Sequence, residues 1–152
     1  MNRREVIVAG AATSLAHLVS VVSGCAAQTA NAPSTLPTPA SGDARAALQR
    51  AAAECVRAGE ACLSHCIRSL SSGSTMMAAC AAKARVMLAI CRAVETLATT
   101  DSAHLPALAR ICAAACTECA EACGAHASHH AECAECERAC RATIAAAQAV
   151  AG

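Results

Sequence analysis

The sequence predicts an all-α protein, an up-down-up-down antiparallel four-helix bundle with a cysteine-lined core. Its 152 residues contain no Phe, Tyr or Trp, and apolar residues at helical spacing dominate over strand formers. Within each helical pattern, cysteines recur at intervals of 3, 4, 7 or 11 residues, which return a side chain to one face of an α-helix. The connections between these patterns are short, which favours antiparallel neighbouring helices.

The first segment, residues 1–27, has the features of an export signal peptide. Arg3 and Arg4 precede a weakly apolar run that is too short for a membrane-spanning helix. The arginine pair resembles the twin-arginine signal of proteins that are exported already folded, although Val6 stands where such signals usually carry Phe. We therefore expect a periplasmic protein.

The end of this signal resembles a lipobox. In that interpretation Cys25, at the end of the stretch Val22 to Cys25, would be lipidated and would anchor the protein to the membrane. An ordinary cleavage site near Cys25 is the competing and nearly equal interpretation, because Cys25-Ala26-Ala27 are small enough for one. Residues 28–43 are rich in Pro, Ser, Thr and Ala, so they form a disordered linker in this prediction. The folded domain then spans 44–152.

The first two helices are bounded by capping and turn residues. Helix one is predicted from residue 44 to about residue 70, with Asp43 as its N-cap. Its end lies at Ser71-Ser72-Gly73, a sequence typical of a helix stop. Helix two is predicted from Met76 to about Leu97, capped by Ser74 or Thr75.

The last two helices carry the densest cysteine spacing. Helix three begins between Ala103 and Leu105, tolerates Pro106 in its first turn and ends near Gly124. Helix four follows Ser128 and continues to about Val150. In the predicted topology the loops before helix two and before helix four lie at the same end of the bundle.

Every cysteine after Cys25 is predicted to face the bundle axis and to bind metal. Together they form a column about 20 Å long, estimated from the helical rise per residue. The predicted ligands are Cys55, Cys62, Cys66, Cys80, Cys91, Cys112, Cys116, Cys119, Cys123, Cys133, Cys136 and Cys140.

The spacing of these thiols favours Cu(I), bound as multiple ions. Side chains at positions i and i+4 stand about 5–6 Å apart at Cβ. A linear unit of two thiolates and one metal ion spans about 4.6 Å if each metal–sulfur bond is about 2.3 Å. Soft thiolate ligands select Cu(I), whereas zinc favours closed sites of four ligands. If each ion takes two sulfurs and each sulfur bridges two ions, the bundle holds about one Cu(I) per thiolate.

Other ligands, weaker for Cu(I) than thiolate, cluster at the end of the bundle that carries the two loops. Thioether and imidazole groups bind Cu(I) more weakly than thiolate, which suits an uptake site. Packing of a helix start, or a solvated loop position, is the competing interpretation for each of them. The predicted uptake residues are His65, Met76, Met77, His126, His129 and His130. Met87 is interpreted as core and His104 as surface.

These motifs, taken together, resemble the exported branch of the bacterial copper storage proteins, a four-helix bundle copper-binding family. The resemblance covers residues 44–152. It rests on Cys55, on Gly59-Glu60-Ala61-Cys62-Leu63-Ser64-His65-Cys66, on Met76-Met77-Ala78-Ala79-Cys80, on Cys91 and on the two cysteine-rich helices that follow. It implies a bundle that stores many Cu(I) ions on core cysteines, with Met and His at one open end, and a homotetramer. Cys25 in a lipobox-like stretch departs from a freely soluble periplasmic store.

Other functions compete with copper storage. A general thiol-rich buffer for zinc or redox equivalents is the first alternative, and an iron–sulfur protein the second. A disulfide scaffold is disfavoured because its cysteines would lie on loops of a small domain, and ferredoxin spacings are absent. No nucleophile–base set indicates an enzyme, and the near-zero net charge of +1 argues against a nucleic-acid partner. Expected partners are copper ions and a copper chaperone or a recipient copper enzyme.

Overall fold

The computed structural model describes residues 41–152. This part of the chain folds into four α-helices and contains no strand: α1 (Gly42–Ser71), α2 (Ala78–Thr99), α3 (Leu105–Gly124) and α4 (Ala131–Ala151). The predicted all-α class and the four-helix bundle are thereby confirmed. The predicted signal peptide, Cys25 and residues 28–40 of the predicted linker lie outside the described residues.

The helices form a ring in which each helix packs against two neighbours. α1 contacts α2 and α4, and α3 contacts α2 and α4. Within residues 41–152 the Cα atoms of the diagonal pairs, α1 with α3 and α2 with α4, do not approach within 8 Å. The space along the axis is therefore filled by side chains alone.

The caps of α1 and α2 differ from the prediction. Ser41, two residues before the predicted cap Asp43, lies at the start of α1, and its hydroxyl accepts a hydrogen bond from the Ala44 amide at 3.3 Å. Asp43 thus lies inside the first turn of α1, where the positive end of the helix dipole stabilises its carboxylate. α2 begins at Ala78 rather than Met76, and neither Ser74 nor Thr75 caps it, because its N-cap position is Met77 with no side-chain hydrogen bond.

The end of α1 matches the predicted stop. Gly73 has a φ of +91°, a left-handed conformation that glycine adopts without steric cost. Its amide donates to the Leu70 carbonyl at 3.0 Å, and the Ser74 amide donates to the Ser69 carbonyl at 3.2 Å. This pair of bonds is a Schellman motif, which satisfies the last carbonyls of the helix and turns the chain toward α2.

One end of the bundle is closed by apolar side chains. Leu48 of α1, Val94 of α2, Leu105 of α3 and Val150 of α4 are all at most 4% exposed. Near the same end the Arg45 guanidinium pairs with the Asp101 carboxylate. The opposite end carries the loops at 72–77 and 125–130. The interior between them is lined by cysteine.

None of the four helices combines the length and the apolar content that crossing a bilayer requires.

Candidate metal-storage site

All cysteines of the described chain are buried in the core as free thiols. Each is 0% exposed, and none forms a disulfide. They come from all four helices: Cys55, Cys62, Cys66, Cys80, Cys91, Cys112, Cys116, Cys119, Cys123, Cys133, Cys136 and Cys140. The helical spacing in the sequence therefore placed every one of them on an inward face.

The sulfurs nearest the loop end form a compact group. The Sγ atom of Cys62 lies 3.6 Å from that of Cys80, 3.7 Å from that of Cys123 and 3.9 Å from that of Cys133. Cys80 and Cys123 are 3.4 Å apart at sulfur. Cys66 belongs to the same group, because its sulfur and those of Cys62, Cys80 and Cys133 all lie within 4.8 Å of one another. One metal ion could therefore contact two, three or four of these thiols.

The deeper sulfurs continue this group toward the closed end. The sulfur of Cys119 lies 4.0 Å from that of Cys123 and 3.9 Å from that of Cys136. Cys119 and Cys136 in turn share a group with Cys140, in which the sulfurs lie within 4.8 Å of one another. The Sγ atoms of Cys140 and Cys55 are 3.6 Å apart.

The deepest thiols complete the network. Cys55 forms a group with Cys91 and Cys116 in which all sulfurs lie within 4.8 Å of one another. Cys112 is 3.8 Å from Cys91 and 4.0 Å from Cys116 at sulfur. Because each group shares or touches a member of the next, the sulfurs form one continuous network, which we call the thiol network.

The order of depth along the axis differs in part from a simple count of residues. If all helices ended in one plane at the loop end, Cys62 would lie one layer below Cys80, whereas their sulfurs are 3.6 Å apart, at the same level. Cys80 lies in the first turn of α2, whereas more than two turns of α1 follow Cys62, so the last turns of α1 extend beyond the start of α2. Each cysteine of α1 therefore lies nearer the loop end than the count suggests.

Three of the predicted uptake histidines meet at the loop end. The rings of His65 and His130 are 4.7 Å apart, and those of His126 and His130 are 6.3 Å apart. His65 Nδ1 lies 3.5 Å from a carboxylate oxygen of Glu132. Its Nε2 is buried and has no hydrogen-bond partner among the described residues. An imidazole nitrogen without a partner is available to a passing metal ion. We call His65, His126 and His130 the histidine cluster.

The remaining predicted uptake residues divide by exposure. Met76 is 69% exposed, whereas its neighbour Met77 is 1% exposed and belongs to the core. His129 is exposed and lies outside the histidine cluster. The structure thus brings together part of the predicted uptake group and leaves Met76 and His129 in solvent.

A family model described as copper storage protein matches residues 41–152 of the chain. The chain belongs to the copper storage protein family. No curated protein matches the sequence.

In this copper storage protein, burial raises the pKa of two thiols at the loop end, Cys66 and Cys133. Loss of solvation, followed by the nearby Cys80, raises the pKa of Cys66 to about 12. The same two causes raise the pKa of Cys133 to about 11. The pKa of Cys80 is lowered instead, first by hydrogen bonding with Cys123 and then with Cys62. Neighbouring thiols therefore stabilise one thiolate among them, which favours binding of a first cation.

One sulfur of the interior was not among the predicted ligands of the copper storage protein. Met87 was interpreted as core, and it is 0% exposed. Its Sδ lies 3.3 Å from the Sγ of Cys55, which brings it into contact with the thiol network. A signal was present in the sequence, because Met87 and Cys91 are four residues apart on α2 and so share a helix face.

Proposed function

We propose that this member of the copper storage family holds multiple Cu(I) ions on the thiol network, at about one ion per core thiol. The observation that carries the proposal is the continuity of the network. The twelve cysteine thiols of the described residues are buried and form no disulfide. Their groups touch along the whole column, so they offer many adjoining sites of two ligands. The alternatives that need separate cages use only part of this set.

Charge balance supports the same stoichiometry. A Cu(I) ion that binds a thiol displaces its proton, so the core gains one positive charge and loses another. A buried network in which ions and thiolates are equal in number is therefore neutral, which avoids the cost of burying net charge. A metal-free network whose thiols are all protonated is neutral as well.

Zinc fits the geometry less completely. Tetrahedral zinc needs four ligands, and among the described residues one group offers four thiols within 4.8 Å: Cys62, Cys66, Cys80 and Cys133. The other thiols lie in groups of three or in a chain of neighbours. A zinc buffer would leave much of the network unused.

The histidine cluster and Met77 are proposed as the uptake end, where incoming copper is passed to the outermost thiols. Their support is proximity: His65 directly precedes the ligand Cys66, and Met77 lies three residues before Cys80. Supply of copper to an enzyme and protection from copper toxicity both need this chemistry. Export is proposed from the resemblance of Arg3 and Arg4 to a twin-arginine signal, and lipidation at Cys25 from the resemblance of its stretch to a lipobox. A homotetramer is proposed from the resemblance to the exported copper storage proteins.

The deciding experiment is an anaerobic titration of the reduced protein with Cu(I) against a competing chelator, with thiols and released protons counted in parallel. We expect a plateau near one ion per core thiol, with release of protons at about pH 7, because Cu(I) displaces the proton of each thiol that starts protonated. A Cys25→Ser variant is the matched control and should reach the same plateau. A plateau at one to three ions, or a preference for zinc or iron, would overturn the proposal.

A further inference from the structure

A sulfur that is not a thiol lies beside Cys55, in the deep part of the thiol network. The Cys55 thiol donates a hydrogen bond to the Met87 Sδ at 3.3 Å, a shorter distance than the 3.6 Å that separates Cys55 from Cys140. Met87 is 0% exposed. The Cys55 sulfur therefore has a buried thioether as a neighbour, in addition to the thiols of Cys91, Cys116 and Cys140.

The backbone opposite Met87 is shaped to receive it. A Cβ added at Gly59 would lie 2.6 Å from the Met87 methyl carbon and 3.0 Å from a methyl carbon of Leu88. Real Cβ atoms do not approach so closely, so the absence of a side chain at Gly59 gives the methyl group its place against α1. With its methyl group held there, Met87 directs its sulfur toward Cys55, four residues before Gly59 on the same face.

A neutral ligand beside one thiolate balances the charge of a loaded network. In an open chain in which every two-coordinate Cu(I) joins two thiolates, the ions are one fewer than the thiolates. The chain then carries one net negative charge, which is costly in a dry core. An uncharged sulfur in contact with one of the thiolates gives one more ion its second ligand. Ions and thiolates become equal in number, and the net charge is zero.

We propose that the Met87 Sδ is a metal ligand that, together with the Cys55 thiolate, holds a Cu(I) ion in the deep part of the thiol network. The proposal rests on copper storage by the network and adds a thioether to its ligands. Binding replaces the Cys55 proton with Cu(I), and Met87 loses no proton. A linear site spans about 4.6 Å between sulfurs, so the pair must separate by about 1 Å. The three rotatable bonds of the methionine side chain permit this.

Selenomethionine labelling tests the contact directly. The full chain carries Met1, Met76, Met77 and Met87, so the labelled M76L/M77L protein retains selenium at Met1 and Met87. The matched control is the labelled M76L/M77L/M87L protein, which retains it at Met1. Leu and Met have similar volumes, and such exchanges are the best tolerated in cores. Each protein is loaded with Cu(I) to its plateau and examined by X-ray absorption at the selenium edge.

In the labelled M76L/M77L protein we expect copper at bonding distance from selenium. The M76L/M77L/M87L control should show no copper at that distance, and it should release its last ion to a chelator more readily. A protein that loads about one ion per core thiol but shows no copper near the Met87 selenium would overturn this inference and leave the storage proposal intact. A protein that loads only one to three ions would instead contradict the storage proposal. The wild-type protein and the single M87L variant provide the same comparison without changes at the uptake end.

Discussion

Single residues in this protein are predictable where their role depends on helical periodicity. The cysteines recur at spacings that fix their face, so their burial followed from the sequence. Met76 and Met77 are adjacent and lie just before α2, and no period distinguishes them. Their exposures, 69% and 1%, are set by how the chain turns into α2, which depends on contacts with other helices. Met87 was assigned to the core, but its contact with Cys55 is a property of two packed helices.

This difference in exposure leads to a prediction about stability. Met77→Ala should lower the free energy of unfolding of the reduced, metal-free protein by about 2–5 kcal/mol, because it removes a buried side chain and leaves a cavity. Met76→Ala is the matched control and should change it by no more than about 0.5 kcal/mol, as surface substitutions usually do. Denaturant titration under reducing conditions measures both. Equal effects of the two substitutions would contradict the placement of Met77 in the core.

At the scale of the helices, the pattern of the sequence predicted the number and order of elements but not their ends. Ser41 and Asp43 are both good N-cap residues, and only the observed contact of Ser41 with the Ala44 amide decides between them. The overhang of α1 is likewise a consequence of packing, since a residue count assumes that all helices end in one plane. That overhang carries His65 to the start of α4, where it meets His130. The histidine cluster is therefore made by two helix ends, and sequence alone could only propose it.

The carboxylates of three glutamates lie at the surface of the bundle, away from the thiol network. Carboxylates pair with cations of neighbouring helices: Glu135 with Arg57, Glu132 with Arg68, and Glu118 with Lys83 at 3.2, 3.5 and 2.6 Å. These pairs are exposed, so each contributes at most a modest stabilisation. Hard carboxylate oxygens on the outside and soft sulfurs on the inside separate the two kinds of ligand chemistry.

The meeting of α1 and α4 at His65 and His130 leads to a prediction about kinetics. The His65→Ala/His130→Ala double variant should load Cu(I) more slowly from a chelated donor and reach the same plateau, because imidazole is a transfer ligand and the thiols are intact. His129→Ala, which changes an exposed histidine outside the cluster, is the matched control and should load at the wild-type rate. Stopped-flow transfer followed by a copper count measures rate and capacity. A reduced plateau in the double variant would show that these histidines are storage ligands.

At the scale of the whole molecule, the core lacks the bulk that usually stabilises a small domain. The buried set is mainly cysteine and alanine with a few larger aliphatic and methionine side chains, and the chain has no aromatic residue. Small side chains bury little apolar area each, and the hydrophobic contribution to stability scales with that area. Much of the space between the diagonal helices is filled by small thiol side chains. Metal that links sulfurs across the axis supplies cross-links between helices that the apolar core does not.

Copper should consequently stabilise the fold, by an amount that grows with the number of ions bound. A ligand that binds the folded state alone adds about 4 kcal/mol when its free concentration is 1,000 times its dissociation constant, and the network offers several such sites. We expect a melting temperature that rises stepwise as Cu(I) is added to the reduced protein, monitored by circular dichroism. Removing the copper with a chelator under reducing conditions is the control and should restore the original melting temperature, which separates metal binding from thiol oxidation. Because ions on the bundle surface would leave the helices unlinked, equal melting temperatures for loaded and metal-free protein would place the copper outside the core.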